Sequence, residues 1–281
     1  MEPAMTIEVT KSSGEKALFS LDKLRNSLKY SGANHNLIEE ILSKVKEELY
    51  EGISTQEIYN RAFALLKRNK SVFASKYKLK KAIYELGPTG FPFERFVAAI
   101  LTYSGYTTTV GEILNGICVT HEIDVIAEKN NKAAIIECKF HSEEGRNCNV
   151  KIPLYIHSRY RDVKTFWKTK STEKRVIDKG WVVTNTRFTS DAIAYGHCAG
   201  LYLLSWDFPQ KEGLKDRIDR LSLYPITVST LLTNKEKHYL LNRDVVLCRQ
   251  LWKEQFLLDH LGISNSRKTS IINELKQLCN P

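Results

Sequence analysis

The chain is 281 residues long, 42% hydrophobic and 26% charged, with a formal net charge of +10. Those values describe globular domains able to bury cores, about two of ordinary size with a small third. They exclude a membrane-spanning helix, since no apolar run approaches the ~18 residues that one needs. The basic excess biases the partners towards polyanions such as nucleic acid and nucleotides. Met1 to Gly14 lacks the basic-then-apolar order of an export signal, so a cytoplasmic protein with reduced cysteines is expected.

Residues 5–87 form a first block. Short strands at Thr6–Val9 and Ala17–Ser20 flank the turn Lys11-Ser12-Ser13-Gly14, predicting a small β-hairpin. Leu21, Leu24 and Leu28 then recur at helical spacing, as do Leu37, Ile38, Ile41, Leu42 and Val45. Ser54-Thr55 precedes Ile58, Ala62, Leu65 and Leu66 as an N-cap would, and a last helix is expected over Val72–Leu86 before Gly87-Pro88.

Residues 89–208 read as an α/β domain with a mixed sheet. A helix carries Phe93, Phe96, Val97, Ile100 and Leu101, and strands follow at Tyr106–Val110, His121–Ala127 and Ala133–Phe140, the last two joined by an Asn130-Asn131 turn. A strand at Trp181–Thr184, a helix at Ser190–Ala199 and a strand at Leu201–Leu204 complete it. Residues 210–281 read as a small helical module.

The strand Ala133–Phe140 carries the chemistry. Alternation puts Ala134, Ile136, Cys138 and Phe140 on one face and Ala133, Ile135, Glu137 and Lys139 on the other. Opposite charges on an apolar central strand are costly unless they pair or bind a metal. Asp124 sits between Ile123 and Val125 in the preceding strand, again a carboxylate in an apolar run. Two neighbouring strands can thus bring Asp124, Glu137 and Lys139 to one point. Hard carboxylate oxygens suit Mg²⁺, which acidifies water and neutralises a phosphate, and a lysine beside them can steady the developing charge. Taken alone, Glu137-x-Lys139 also reads as a surface ion pair.

Phe93-Glu94-Arg95-Phe96, Gly105-Tyr106, His121-Glu122-Ile123-Asp124-Val125, Glu137-Cys138-Lys139 and Trp181-Val182-Val183-Thr184-Asn185 resemble the Mrr-like branch of the PD-(D/E)XK nucleases over about 120 residues. The branch often has Gly where this chain has Glu122. The resemblance implies that Asp124 and Glu137 hold the metal (Mg²⁺ or Mn²⁺), that Lys139 assists the attacking water, and that Glu94 is an outer, supporting acid. It implies DNA as substrate and restriction of foreign DNA as the role. A nucleotide-responsive DNA-binding regulator with an inactive nuclease fold, and an RNA or repair nuclease, are the rival readings.

A basic stretch from Lys151 to Arg175 interleaves cations with Tyr155, His157, Tyr160, Phe166 and Trp167. Arg159, Arg161 and Lys164 are expected to contact the DNA backbone, against the alternative of a solvated helix face over buried aromatics. His121, Cys138, His141 and Cys148 fit no zinc spacing.

In the first block, a glycine-containing hairpin lets backbone approach phosphates, Lys11 and Lys23 can supply charge, and Thr55 opens a helix where N–H groups face an anion. Lys11-Ser12-Ser13-Gly14, Phe19 to Leu24 and Ile53 to Ile58 resemble the ATP-cone, whose hairpin usually reads Lys-Arg-Asp-Gly. This implies regulatory binding of ATP or dATP by Lys11, Ser13, Lys23 and Thr55. A plain helical interaction domain is the alternative. Nucleotide-dependent packing of the cones in a homo-oligomer would decide whether two nuclease centres act on a duplex together. In the third block, Leu261-Gly262-Ile263 with Arg267-Lys268 weakly resembles a DNA-binding helix-hairpin-helix; a helical cap on the nuclease or a dimerisation surface is the alternative.

Overall fold

The structure, a computed structural model, describes residues 7–11, 13–169 and 176–280. Thr6, Ser12 and the basic residues Lys170, Lys174 and Arg175 lie outside them.

The N-terminal region is helical with a small hairpin. Strand β1 (Glu8–Thr10) pairs antiparallel with β2 (Lys16–Leu18), and Gly14 takes the positive φ of +80° that the turn needs. Helices α1 (Leu21–Tyr30), α2 (His35–Glu47) and α3 (Thr55–Asn69) each start at a polar cap. The Ser20, Asn34 and Ser54 side chains accept from the N–H groups of Lys23, Leu37 and Glu57. The helix expected over Val72–Leu86 is two, α4 (Ser71–Tyr77) and α5 (Leu79–Tyr84). They divide at Lys78, whose ammonium bonds Glu85 at 2.6 Å and the Thr227 carbonyl at 3.2 Å.

The central domain opens with α6 (Phe91–Tyr103), with Pro92 in the first turn, where its missing N–H costs nothing. Its sheet runs β3 (Thr107–Asn115), β4 (Thr120–Lys129), β5 (Lys132–Lys139), β7 (Val176–Thr184), β9 (Tyr202–Leu204); the short strands β6 (Asn147–Cys148) and β8 (Arg187–Phe188) pair apart from it. β3, β4 and β5 are antiparallel, while β7 and β9 run parallel to β5. Asn130 and Asn131, both at positive φ, make the β4–β5 turn. Helix α7 (Lys151–Thr169) carries the crossover from β5 to β7, and α8 (Ser190–Cys198) that from β7 to β9.

The alternation on β5 appears as two cores. Ala134, Ile136 and Cys138 pack with Phe93, Phe96 and the C-terminal helices. Ala133 and Ile135 pack with Ile156, Tyr160 and Val163 of α7. The C-terminal module comprises α9 (Leu214–Leu221), α10 (Asn234–Leu241), α11 (Cys248–Lys253) and α12 (Asn265–Cys279). It covers the first core and also receives Leu79, Ala82, Ile83 and Leu86 from the N-terminal region. A buried carboxylate ties this junction: Glu274, 2% exposed, accepts from Ser75 at 2.7 Å, from Ser229, and from the Thr230 N–H and hydroxyl at 3.1 and 2.9 Å. Among the described residues no helix is long and apolar enough to cross a membrane.

Candidate active site

The β4–β5 ladder runs from Lys129↔Lys132 to Val125↔Ile136. At the next position the Asp124 carboxylate takes the place of a strand partner, its Oδ2 accepting the Cys138 N–H at 2.7 Å. This bond fixes Asp124 beside the peptide that follows Glu137. The Glu137 side chain, 20% exposed, receives the Arg159 guanidinium at 2.5 Å. Lys139 is exposed at the end of β5, and its charge lowers the proton affinity of both Asp124 and Glu137. Glu94, in the first turn of α6, feels Asp124 and Glu137 as well. The structure therefore brings Asp124, Glu137, Lys139 and Glu94 to one end of the central strands.

Burial pushes the Glu137 and Glu94 carboxyls up to about 7, and the Asp124 charge adds to the rise in both. Burial also raises Asp124, against the pull of the Cys138 N–H. Crowded, half-buried carboxyls of this kind are relieved by a cation. Among the described residues no group of three or more His, Cys, Asp or Glu side chains is placed to hold a metal ion. Asp124 and Glu137 instead offer a two-carboxylate, oxygen-only donor set, which fits a hard ion that keeps most of its waters.

A pH effect follows. A carboxyl raised from an ordinary 4.5 to about 7 makes the folded chain bind more protons than the unfolded chain between those values. Stability of the chain without added metal should fall as pH rises through that window, and stay down above about 7. Asp162 and Glu236, both held below the ordinary carboxylate range, titrate beneath it. Calorimetric melts from pH 5 to 8 check this. Glu94→Gln with Glu137→Gln should flatten the profile, and an equally steep profile in the double variant would contradict the assignment.

The basic stretch is placed differently from the expectation. Residues 151–169 form α7, with Ile156, Tyr160 and Val163 buried against the sheet. Arg159 is not a free backbone contact: it bonds Glu137, the Glu122 carbonyl at 3.1 Å and the Tyr155 hydroxyl at 2.8 Å. Lys164 donates to the Tyr160 hydroxyl at 2.7 Å, and Arg161 is exposed. The Tyr155–Arg159 pair was legible as an i,i+4 spacing once the stretch is a helix. His121 bonds Asp162 at 2.8 Å and the His141 N–H bonds Asn185 at 2.9 Å, so neither histidine enters the carboxylate cluster through these contacts.

A second site lies in the N-terminal region. Lys11, Lys23 and Thr55 line a cleft of about 230 Å³ with Phe19, Ser20 and Tyr59. Ser13 does not line it and is exposed at the hairpin tip, and Lys11 pairs with Glu15 at 3.0 Å. Sequence reading missed Tyr59 and Tyr77, stacked at 5.0 Å in the cleft, with the Tyr59 hydroxyl buried and unpartnered. An adjoining cleft of about 250 Å³ shares Thr55, Tyr59 and Tyr77 and adds Lys80, Lys81 and Glu144.

Three family models match the chain in order: an ATP cone domain over 7–84, a restriction endonuclease (Mrr catalytic) domain over 88–207, and an AF1548-like C-terminal domain over 224–279. An uncharacterized protein of Archaeoglobus fulgidus is 33% identical over 184 residues, which is 65% of this chain and 99% of that protein. The crystal structure of AF1548, a protein of unknown function, superposes with a TM-score of 0.56 at 30% identity over 68% of this chain and 98% of that one. The chain belongs to the AF1548-like family. This member joins an ATP-cone to a restriction endonuclease domain. Asp124, Glu137, Lys139 and Glu94 fall within the endonuclease match, and the cleft residues Lys11, Lys23 and Thr55 within the ATP-cone match. The helix-hairpin-helix likeness has little to act through: Arg267 is paired with Glu236 at 2.6 Å and Lys268 with Asp259 at 2.5 Å.

Proposed function

We propose that this family member is a divalent-metal-dependent DNA endonuclease of restriction type, controlled by ATP or dATP bound in its ATP-cone. The observation that carries the reading is the meeting of Asp124, Glu137 and Lys139 at one end of β4 and β5. Asp124 and Glu137 would hold Mg²⁺ or Mn²⁺, which supplies charge neutralisation at the phosphate and acidifies water. Lys139 donates to the attacking water and to the phosphate oxygen where charge develops. Glu94, titrating near neutral pH, is suited to exchange protons with water at the rim. Exposed Arg161 remains available to a DNA phosphate.

The test is cleavage of plasmid, methylated plasmid, single strands and RNA, with Mg²⁺ or EDTA, and with or without ATP and dATP. Mg²⁺-dependent scission of duplex DNA is expected. Tight, salt-sensitive DNA binding without scission in any metal would identify a binding regulator instead. Preferential cutting of RNA would move the substrate class.

Nucleotide control has a route within one chain. Glu144 belongs to the segment that leaves β5 just after Lys139, and it walls the cleft shared by Thr55, Lys80 and Lys81. A nucleotide whose phosphates are drawn to Lys80 and Lys81 meets the Glu144 carboxylate, so binding and the position of this segment are coupled. Glu144→Gln should tighten ATP about threefold by removing that repulsion, and reduce the effect of ATP on cleavage. Isothermal titration with paired cleavage assays checks both, and unchanged affinity with unchanged control would discard the route. Homo-oligomer formation through the cones, read by light scattering with and without nucleotide, is the intermolecular version.

A further inference from the structure

Arg159 holds the catalytic carboxylate from a helix outside the strand motif. It lies on α7, and its side chain is 16% exposed. Its Nη1 donates to Glu137 at 2.5 Å and to the Glu122 carbonyl at 3.1 Å, and its Nη2 donates to the Tyr155 hydroxyl at 2.8 Å. The guanidinium lies 5.0 Å from the Tyr155 ring, which is itself 57% exposed. The helix beneath is pinned by Asp162, which accepts from the Cys118 N–H at 2.9 Å and bonds His121. Arg159 is thus aimed, not accidental.

Two features set this contact apart from an ordinary ion pair. The Nε–H of Arg159 is buried and has no partner. An unmade buried hydrogen bond is costly, so the guanidinium is incompletely satisfied beside Glu137. A guanidinium also cannot lose its proton. A divalent cation taken by Glu137 would therefore meet a fixed positive charge on the same carboxylate, and the two cations compete for it. Tyr155 gives Arg159 a landing at the protein surface, where the anion on offer during the proposed reaction is a DNA phosphate.

We propose that Arg159 is the internal counter-cation of the metal site: it neutralises Glu137 until a divalent cation displaces it, and it is then handed to a DNA phosphate. This rests on the metal-dependent reading of Asp124 and Glu137. It makes Arg159 a competitor of the metal and a partner of the substrate at once. Metal and DNA then favour each other, because each removes the group that opposes the other.

The experiment is a Mn²⁺ titration of the full chain without DNA, following free Mn²⁺ by electron paramagnetic resonance, for wild type, Arg159→Gln and Tyr155→Phe. Plasmid cleavage at saturating Mn²⁺ is measured in parallel, and circular dichroism checks folding. Arg159→Gln should bind Mn²⁺ about tenfold more tightly, as expected on removing a close like charge, yet cleave at least about tenfold more slowly. Tyr155→Phe changes only an exposed anchor, so it should fold, and it should tighten Mn²⁺ by a smaller factor. A merely structural arginine would weaken Mn²⁺ binding or leave it alone when removed. Equal or weaker affinity in both variants, or no Mn²⁺ binding by any form, overturns the proposal. Tighter Mn²⁺ in the variants with no cleavage of any nucleic acid by wild type would keep the counter-cation and remove the nuclease reading.

Discussion

Asp124→Asn is expected to lower Mg²⁺-dependent cleavage by about a thousandfold or more, which is roughly 4 kcal/mol of lost transition-state stabilisation. Asparagine is the same size and keeps an oxygen to accept the Cys138 N–H, so the end of β5 stays in place. What goes is the charge that would seat the cation between Asp124 and Glu137. The same loss removes repulsion from Glu137 and Glu94, both raised in part by Asp124. The melting temperature at pH 8 should therefore hold or rise while activity collapses. Plasmid nicking and calorimetry on the same preparation check the pair of effects. A variant that cuts like wild type would show that Asp124 is only a strand-end brace. A variant that melts well below wild type would show that its loss of activity is a folding defect.

The largest stability effect should come from Glu274→Ala. The Glu274 carboxylate gathers Ser75 from α4 and Ser229 and Thr230 from the C-terminal module in a buried pocket. Truncation leaves those donors facing one another and a cavity, and breaking a buried charged network costs about 3–5 kcal/mol. It should also loosen the N-terminal region from its C-terminal support, since Ser75 is part of that junction. Urea unfolding should show the midpoint falling, and limited proteolysis should cut earlier near Lys70 to Lys78. Glu274→Gln keeps one acceptor and should cost less. A midpoint within about 0.5 kcal/mol of wild type, the usual range for a neutral surface change, would contradict the network.

Much of this was legible in the sequence, and for a physical reason. Strand alternation and apolar runs are local signals, so carboxylates at Asp124 and Glu137 stood out against Ile123, Val125, Ile135 and Ile136. Their convergence needed only that two consecutive strands pair, which β4 and β5 do. The cap at Ser54 marks a helix start by chemistry confined to a few residues. Helix faces are harder to read in the basic stretch, because cations and aromatics alternate there. Only packing shows that Tyr160 is buried and that Arg159 turns inwards to Glu137. The division of the last N-terminal helix at Lys78 and the Ser75–Glu274 bond depend on partners far away in the chain, which no local pattern encodes. The same holds for Glu144 beside Lys80 and Lys81.

The proposal stands on one cation shared by two carboxylates. The most direct measurement is anomalous diffraction from crystals of the full chain soaked in Mn²⁺, wild type beside Asp124→Asn. The account predicts a Mn²⁺ peak within bonding distance of both Asp124 and Glu137 in wild type, and its loss in the variant. A peak held by other residues, or no peak at this pair at millimolar Mn²⁺, would contradict it.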